Sequence, residues 1–267
     1  MEDSYIVISY GQLALSAVLI LVNVALSVAL QLGLARSLLI AALRMVVQLL
    51  LIGFVLEWLF TQDNALVILA IALVMTAIAG VSAVNRTQRR FAGIYWHSLL
   101  SVLSASALVT GFAMVGIIRV QPWYDPQYLI PLMGMVLGNT LNGISLGLDR
   151  FMEGLIAQQG QVETLLALGA TRWEAAHKPV RDAIRIGMIP TINSMMVMGL
   201  VSLPGMMTGQ ILAGADPIDA VRYQIVIIFM IAAGAALGIF AVVLLAYRRL
   251  LSPDHQLRLD YLEKAGQ

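Results

Sequence analysis

The sequence predicts an all-α integral membrane protein with about seven transmembrane helices. Hydrophobic residues make up 60% of its 267 residues and charged residues only 12%, whereas about 25% of the residues of a soluble domain are charged. The mean hydropathy is +0.88. The apolar residues fall into runs of about 20, the length that crosses a hydrocarbon core roughly 30 Å thick. Such runs favour helices over the alternating strands of an outer-membrane barrel.

Seven apolar runs use nearly the whole chain, so we predict a single transmembrane domain over residues 1–267. The predicted spans cover about residues 11–32, 38–60, 64–84, 98–118, 128–148, 186–213 and 222–246. The N-terminal segment carries Glu2 and Asp3 where a signal peptide would carry basic residues. We therefore expect no cleavage, with the first helix staying in the membrane.

Two short motifs predict how helices begin and how they meet. Asp216 followed by Pro217 is typical of an N-cap and a first-turn proline at the start of the last span. In the fifth span, Gly134 and Gly138 form a small-xxx-small pair, which predicts close approach of a neighbouring helix.

The distribution of arginine and lysine predicts an N-terminus outside the cell and a C-terminus in the cytoplasm. Basic residues collect in alternate connections, for example Arg86, Arg89 and Arg90 after the third span, as they do in cytoplasmic loops. The opposite connections hold mostly Asp and Glu. We expect a multi-pass protein of the plasma membrane, which is the inner membrane of a bacterium.

Several kinds of chemistry are excluded by what the sequence lacks. It has no cysteine, and its three histidines, His97, His177 and His255, are far apart, which argues against disulfides and zinc or thiolate sites. It has no Gly-x-x-x-x-Gly-Lys-Ser/Thr loop for ATP. The centres of the predicted spans carry no carboxylate or histidine for proton coupling or catalysis. We therefore predict a transport subunit, not an enzyme, that a partner energises.

The polar connection between the fifth and sixth spans, residues 149–185, predicts a helical hairpin. Gly169 is placed to end one helix, and Thr171 with Glu174 forms a capping box that starts the next. The hairpin is either a docking element for a cytoplasmic motor or an interfacial amphipathic helix that only connects two spans. Two prolines are expected to bend the second helix on its way into the sixth span: Pro179 and Pro190.

The hairpin also carries a pattern found in bacterial ABC permeases. Glu163, five residues and then Gly169 match the spacing of the EAA loop that contacts their ATPase subunits, although Thr164 and Leu165 replace its two alanines. Further motifs follow over most of the chain: Arg44-x-x-x-Gln48, Gly134-Met-x-x-Gly138-Asn139, Leu168-Gly-Ala-Thr171, Arg181-Asp-Ala-Ile-Arg185, Ile189-Pro-Thr191, Gly199-Leu-Val-Ser-Leu-Pro204-Gly and Tyr223-Gln-Ile225. Together they resemble the FetB-type family of ABC permeases, which includes bacterial proteins assigned to iron export and plant aluminium-tolerance relatives.

The resemblance implies a permease that works with a separate ATP-binding subunit and as a pair of permease copies. ATP and magnesium would then be bound by the partner, and this chain would bind no cofactor of its own. Nucleic acid is not an expected partner. The residues implied to couple to the ATPase are Glu163, Leu168, Gly169, Ala170, Thr171, Arg172 and Glu174.

The predicted sixth span is the best candidate for a cargo pathway, because small and polar side chains recur there at three- or four-residue steps. Pro204 and Gly205 predict a break in this span, since proline removes a backbone donor. In the fifth span, Asn139 and Asn142 share a face with Met135 and could bond to a neighbouring helix or contact cargo. The predicted pathway residues are Asn139, Asn142, Thr191, Ser194, Met198, Ser202, Pro204, Gly205, Met206, Met207 and Thr208.

Methionines surround the predicted break, at positions 195, 196, 198, 206 and 207. Thioethers are soft ligands that suit Cu(I) better than iron, but methionine is also an adaptable packing residue. The cluster therefore has two interpretations, adaptable packing between helices that move or a weak metal site. The candidate metal ligands are Met195, Met198, Met206 and Met207.

We therefore predict the membrane-spanning permease subunit of an ABC exporter of iron or another metal, driven by an ATP-binding subunit that docks on residues 163–178. The resemblance implies iron, whereas the chain shows no carboxylate or histidine cage of the kind that a hard or borderline cation prefers. Two alternatives stay open. One is an ABC permease for a small polar metabolite such as a nucleotide sugar, and the other is a membrane scaffold whose hairpin binds a soluble partner without transport.

Overall fold

The computed structural model describes residues 8–264, so Glu2 and Asp3 lie outside the described part of the chain. The described residues are almost entirely helical, which confirms the predicted fold class. The helices are α1 (Tyr10–Ala29), α2 (Ala35–Leu59), α3 (Ala65–Asn85), α4 (Ile94–Phe112, continued by a π-helical turn Ala113–Ile118), α5 (Pro126–Ala157), α6 (Gln159–Ala167), α7 (Arg172–Val197), α8 (Gly205–Leu212), α9 (Pro217–Leu250) and a 3-10 turn, Leu259–Tyr261. Two short strands, β1 (Arg89–Arg90) and β2 (Glu263–Lys264), pair antiparallel.

Six of these helices are long and apolar enough to cross a membrane: α1, α2, α3, α4 with its π-helical turn, α5 and α9. They correspond to the first five predicted spans and the seventh. The predicted sixth span, 186–213, is not one helix, because α7 ends at Val197 and α8 begins at Gly205. This interruption confirms the predicted break beside Pro204, and the number of membrane crossings stays a prediction.

The hairpin connection is shorter than predicted, because the helices on both sides continue into it. α5 runs past residue 148 to Ala157, and α7 runs without interruption from Arg172 into the predicted sixth span. Pro179 and Pro190 both lie inside α7. The hairpin is therefore built from the end of α5, the short helix α6 and the first turns of α7.

Helix starts follow the capping residues that the sequence supplies. Asp216 caps α9, where its Oδ1 accepts from the backbone amide of Ile218 at 2.8 Å, and Pro217 occupies the first turn. This confirms the predicted start of the last span. Asp125 caps α5 in the same way, with Pro126 in the first turn. Carboxylate caps satisfy backbone donors that would otherwise have no partner at a membrane-spanning helix end.

The chain forms two compact units, of which the first runs up to Asp63 and includes Leu212–Gly214. In this unit α1 and α2 pack against each other across a turn, where the backbone amide of Leu34 donates to Ser27 Oγ at 3.0 Å. Most large apolar side chains of both helices are exposed. Apolar helices with exposed apolar surface suit contact with lipid chains.

The second compact unit holds the rest of the chain, with α5 packed against α3, α4, α7 and α9. Close approach of α5 and α7 depends on Gly143 and Gly187, since a Cβ at Gly187 would lie 2.9 Å from the Gly143 carbonyl oxygen. The predicted small-xxx-small pair, Gly134 and Gly138 of α5, makes no such close contact with a neighbouring backbone. A Cβ at Gly134 would lie 3.5 Å from the Met75 side chain, and one at Gly138 would meet open space. Within the described part of the chain, therefore, only Gly134 of this pair contacts a neighbouring helix, and that helix is α3.

Candidate functional site

A cavity of about 290 Å³ lies where α7 is interrupted, and we call it the break cavity. Its wall is formed by α5, the end of α7, the connection into α8 and the first half of α9. It is lined by Met135, Asn139, Thr191, Ser194, Met195, Met198, Ser202, Leu203, Pro204, Gly205, Met206, Gln224, Ile227, Ile228 and Ile231.

Most of the predicted pathway residues line the break cavity, and three do not. Met207 lines a neighbouring cavity of about 390 Å³ that also touches Met195 and Met198. The Asn142 side chain accepts a hydrogen bond from the Arg86 guanidinium. Thr208 Oγ1 donates to the carbonyl oxygen of Pro204 at 3.1 Å within α8. The role of these three residues in a pathway stays a prediction.

The interruption itself is a tight turn held by its own backbone. Gly199 has a φ of +80°, a conformation that side-chain-bearing residues rarely adopt. Its amide donates to the carbonyl oxygen of Ser202 at 2.9 Å, and the amide of Val201 donates to that of Val197 at 3.0 Å. Leu200, at the tip of the turn, is 88% exposed. Because the turn satisfies these backbone groups locally, non-helical backbone is tolerated beside the cavity.

Gln224 is the cavity residue that sequence reasoning missed as a site. Only 6% of its surface is exposed, and its Oε1 has no hydrogen-bond partner within the described part of the chain. It lines both the break cavity and the neighbouring one. In the sequence, Gln224 could have been noticed as the one amide side chain in the predicted span 222–246, within the motif Tyr223-Gln-Ile225. Only the packing of α9 against the other helices indicates its importance.

The break cavity is uncharged. Its polar groups are the amides of Asn139 and Gln224 and the hydroxyls of Thr191, Ser194 and Ser202, and the remainder is apolar or thioether. Over residues 8–264, no group of three or more His, Cys, Asp or Glu residues could hold a metal ion. A cargo in this cavity would therefore meet neutral oxygen, nitrogen and sulfur atoms.

The hairpin has the predicted helix–turn–helix form. Gly169 has a φ of +89°, its amide donates to the carbonyl oxygen of Leu166 at 3.1 Å, and the amide of Ala170 donates to that of Leu165 at 3.0 Å. These bonds end α6 at a glycine, as predicted. Leu168, at the tip, is 80% exposed. A single exposed leucine is common on protein surfaces, so docking of another protein at this tip stays a prediction.

The predicted capping box at the start of α7 is present. A Glu174 carboxylate oxygen accepts from the backbone amide and from the hydroxyl of Thr171, both at 2.8 Å. The Thr171 hydroxyl in turn accepts from the amide of Glu174 at 3.3 Å. The backbone bond first, and then the hydroxyl bond, lower the pKa of Glu174 below its ordinary value. The charged form therefore stabilises the box.

The base of the hairpin is attached to the C-terminal segment, a contact that the sequence did not predict. The backbone amide of Arg172 donates to His255 Nδ1 at 3.0 Å, and its guanidinium donates to the carbonyl oxygen of Leu251 at 3.4 Å. The same guanidinium lies 5.7 Å from the Tyr247 ring centre. Glu163, by contrast, is exposed and accepts only from Gln159 Nε2, at 2.8 Å. The hairpin thus has an anchored base and an exposed tip.

Comparison with known proteins places this arrangement in one family. The family model described as "Uncharacterised protein family (UPF0014)" matches residues 10–251, which include the break cavity and the hairpin. The chain belongs to the UPF0014 family. No solved structure matches it.

Named relatives of this UPF0014 chain match over most of their length. A UPF0014 membrane protein of Synechocystis sp. is 43% identical over 226 residues, 85% of this chain and 87% of its own. The "Probable iron export permease protein FetB" of Escherichia coli is 33% identical over 258 residues, 96% of this chain and 98% of its own. The "Protein ALUMINUM SENSITIVE 3" of Arabidopsis thaliana is 34% identical over 245 residues, 92% and 88% of the two chains.

These relatives confirm the resemblance to the FetB-type family. With six apolar helices able to cross a membrane, this UPF0014 chain is a multi-pass membrane permease.

Proposed function

We propose that this chain is the membrane subunit of an ABC exporter of iron or another metal ion. A separate ATP-binding subunit, which holds ATP and magnesium, docks on the hairpin at residues 163–178, and two copies of this chain form the pathway. We infer iron from the E. coli relative, which is named as a probable iron export permease. Neither nucleic acid nor a cofactor bound by this chain has a part in the proposal.

The observation that carries the proposal is the continuity of α7. This helix runs for 26 residues from the capping box at Thr171 to Val197 at the break cavity, a length of roughly 39 Å at 1.5 Å per residue. The helix continues through Pro179 and Pro190, although each proline removes one of its backbone hydrogen bonds. Displacing the hairpin would therefore displace the wall of the cavity.

The contacts of α7 favour transmission of such a movement. Pro179 is buried against the end of α5, where a Cβ at Gly154 would lie 3.6 Å from the Pro179 ring. Further along, Gly187 meets Gly143 of α5 backbone to backbone. Helices packed this closely slide or tilt more readily than they deform, because packed interiors resist compression. ATP-driven closure of the partners would push the hairpins and tilt α7 against α5.

The main test compares the wild type with Gly169→Pro in a lipid-reconstituted complex with the candidate ATP-binding subunit. Proline cannot adopt a φ of +89° and would remove the amide that closes α6. We expect the variant to insert normally and to lose cargo-stimulated ATP hydrolysis and metal flux. Gly214→Pro is the matched control, since Gly214 also has a φ of +89° but lies outside the hairpin.

The outcomes separate the candidate functions. Fe(II)-stimulated hydrolysis that is lost in Gly169→Pro alone supports a metal exporter coupled through the hairpin. ATP hydrolysis that is lost in Gly169→Pro but is not stimulated by Fe(II) supports an ABC permease for another cargo. A small polar metabolite is one such cargo, which the uncharged cavity also suits. Unchanged flux in Gly169→Pro contradicts the coupling role, and lack of association with any ATP-binding subunit favours the scaffold alternative.

A further inference from the structure

Four methionine side chains from three helices line the break cavity. Met135 comes from α5, Met195 and Met198 from the end of α7, and Met206 from the first turn of α8. Met195 lies in the last turn of α7, and Met198 follows that helix as its C-cap in an extended conformation; both line the cavity. Methionine is unbranched, with three rotatable bonds before its methyl group. Its sulfur can therefore turn toward a common centre without movement of the backbone.

Gln224 gives the same cavity an acceptor without a partner. Its side chain is more than nine-tenths buried, and its Oε1 has no hydrogen bond within residues 8–264. A buried acceptor without a partner costs free energy, which a cation or a donor in the cavity would recover. The thioether sulfurs are acceptors as well. These lone-pair atoms, Gln224 Oε1 and the thioether sulfurs, therefore suit a positively charged cargo.

The charge of that cargo is limited by the neutrality of the cavity. Its lining contains no Asp, Glu or His to offset a positive charge. The free energy of removing an ion from water rises with the square of its charge, so a divalent ion costs about four times as much as a monovalent ion of equal radius. Thioethers prefer soft ions such as Cu(I), whereas iron is better served by carboxylate, imidazole or thiolate ligands. The cost of desolvation and the preference of thioethers therefore both favour a soft, singly charged ion.

We propose that the break cavity binds a soft, singly charged metal ion of the Cu(I) class, through the thioethers of Met135, Met195, Met198 and Met206 and the amide oxygen of Gln224. The proposal rests on the proposed function, because it treats this cavity as part of the cargo path, and it names the class of cargo. Because the ligands lie on both sides of the interruption, movement of α7 relative to α8 would separate Met198 from Met206. That movement would release the ion.

The test uses Ag(I), a redox-stable probe for this class, with the purified full-length chain in lipid nanodiscs. Two methionines make a matched pair, since Met206 lines the break cavity and Met196 lines neither that cavity nor the adjacent one. We expect wild type to bind one Ag(I) ion. Met206→Leu should weaken binding by about tenfold or more, and Met196→Leu should leave it unchanged. Leucine is used because it preserves volume and apolar character.

Three results would overturn the proposal: no Ag(I) binding by wild type, equal weakening by the two variants, or displacement of Ag(I) by Fe(II) at similar concentration. X-ray absorption at the silver edge gives a second readout, in which sulfur neighbours support the site and oxygen or nitrogen neighbours alone refute it. Met135→Leu replaces Met206→Leu if the latter does not fold.

Partner-coupled ATP hydrolysis is measured on the same preparations. If it persists without Ag(I) binding, only the metal assignment fails, whereas its absence in the wild type removes the proposed function.

Discussion

At the scale of single residues, glycine decides where two helices of this permease touch. Gly187 of α7 faces the backbone of Gly143 on α5, and a side chain at either position would collide with backbone or with Ile239. Gly138, also on α5, has open space where a side chain would stand. The same residue type therefore has opposite consequences within one pair of helices.

Gly187→Ala should destabilise the protein by about 1–3 kcal/mol, because its methyl group would lie 2.9 Å from the Gly143 carbonyl oxygen and would push the helices apart. The matched change Gly138→Ala should be neutral or stabilise by about 0.5–1 kcal/mol, as expected for alanine in an open helix position. Thermal unfolding of the purified chain in detergent measures both. Equal midpoints for the two variants would contradict the close approach of α5 and α7.

Glu174 adds a dependence on pH at the start of α7. Its pKa is lowered by the amide and the hydroxyl of Thr171, so the folded hairpin binds the charged form more favourably than the unfolded chain does. The stabilisation is present above the ordinary value of 4.5 and is lost as the pH falls through the lower folded value. Amide hydrogen exchange in the first turn of α7, corrected for intrinsic rates, should accelerate in that acid range. Glu174→Gln should abolish this dependence and Glu163→Gln should retain it, and a wild type without the dependence would contradict the role of the charge.

At the scale of elements, α7 joins the hairpin to the predicted sixth span in one helix. Its first turn belongs to the hairpin and its last turn to the break cavity, with no interruption between them. The C-terminal segment adds a restraint, because His255 and Leu251 hold Arg172 at the start of the helix. The same segment ends in β2, which pairs with β1 in the connection after α3. The base of the hairpin is therefore attached to the C-terminal segment as well as to the rest of α7.

Pro204→Ala should alter metal flux, because alanine supplies the missing amide and lifts the restriction that proline places on the residue before it, so that α8 can extend into the interruption. A longer α8 would then narrow or close the break cavity. Efflux from proteoliposomes loaded with iron or silver, driven by the ATP-binding partner, gives the measurement. Pro131→Ala is the control, since Pro131 is an exposed proline inside α5 and away from the cavity lining. Wild-type flux from Pro204→Ala would count against a functional break.

At the scale of the whole molecule, the long helix α5 separates the hairpin from the Asp125 cap. The hairpin, with its exposed tip at Leu168, lies at one end of α5, and the Asp125 cap lies at the other. α5 is 32 residues long, or roughly 48 Å at 1.5 Å per residue, which is more than the hydrocarbon core requires. Its two ends must therefore face opposite sides of a membrane that it crosses.

The predicted orientation can be measured without a background signal, because the chain contains no cysteine. Gln127→Cys, near the start of α5, should react with a membrane-impermeant maleimide in intact cells. Leu168→Cys, at the hairpin tip, should react only after the cells are permeabilised. Both positions are exposed, so access from one side of the membrane decides the result. The reverse pattern would place the hairpin outside the cell and remove the basis for docking an ATP-binding subunit.

The sequence by itself determined the properties that depend on neighbours along the chain. Hydropathy established the membrane class, Asp216 and Thr171 marked helix starts, and Gly169 marked the end of α6, since capping and burial in lipid act within a few residues. Pro204 located the interruption for the same reason. These features needed no tertiary structure.

Tertiary structure decided what depends on contacts between distant segments. It placed Gln224 in the break cavity without a partner, left Met207 outside that cavity, and brought His255 to Arg172. It also selected Gly187 over Gly138 as the close contact with neighbouring helix backbone. Such choices follow from where helices cross and how they are rotated, and these depend on the packing of all side chains at once. Periodicity within one helix carries no information about its partner.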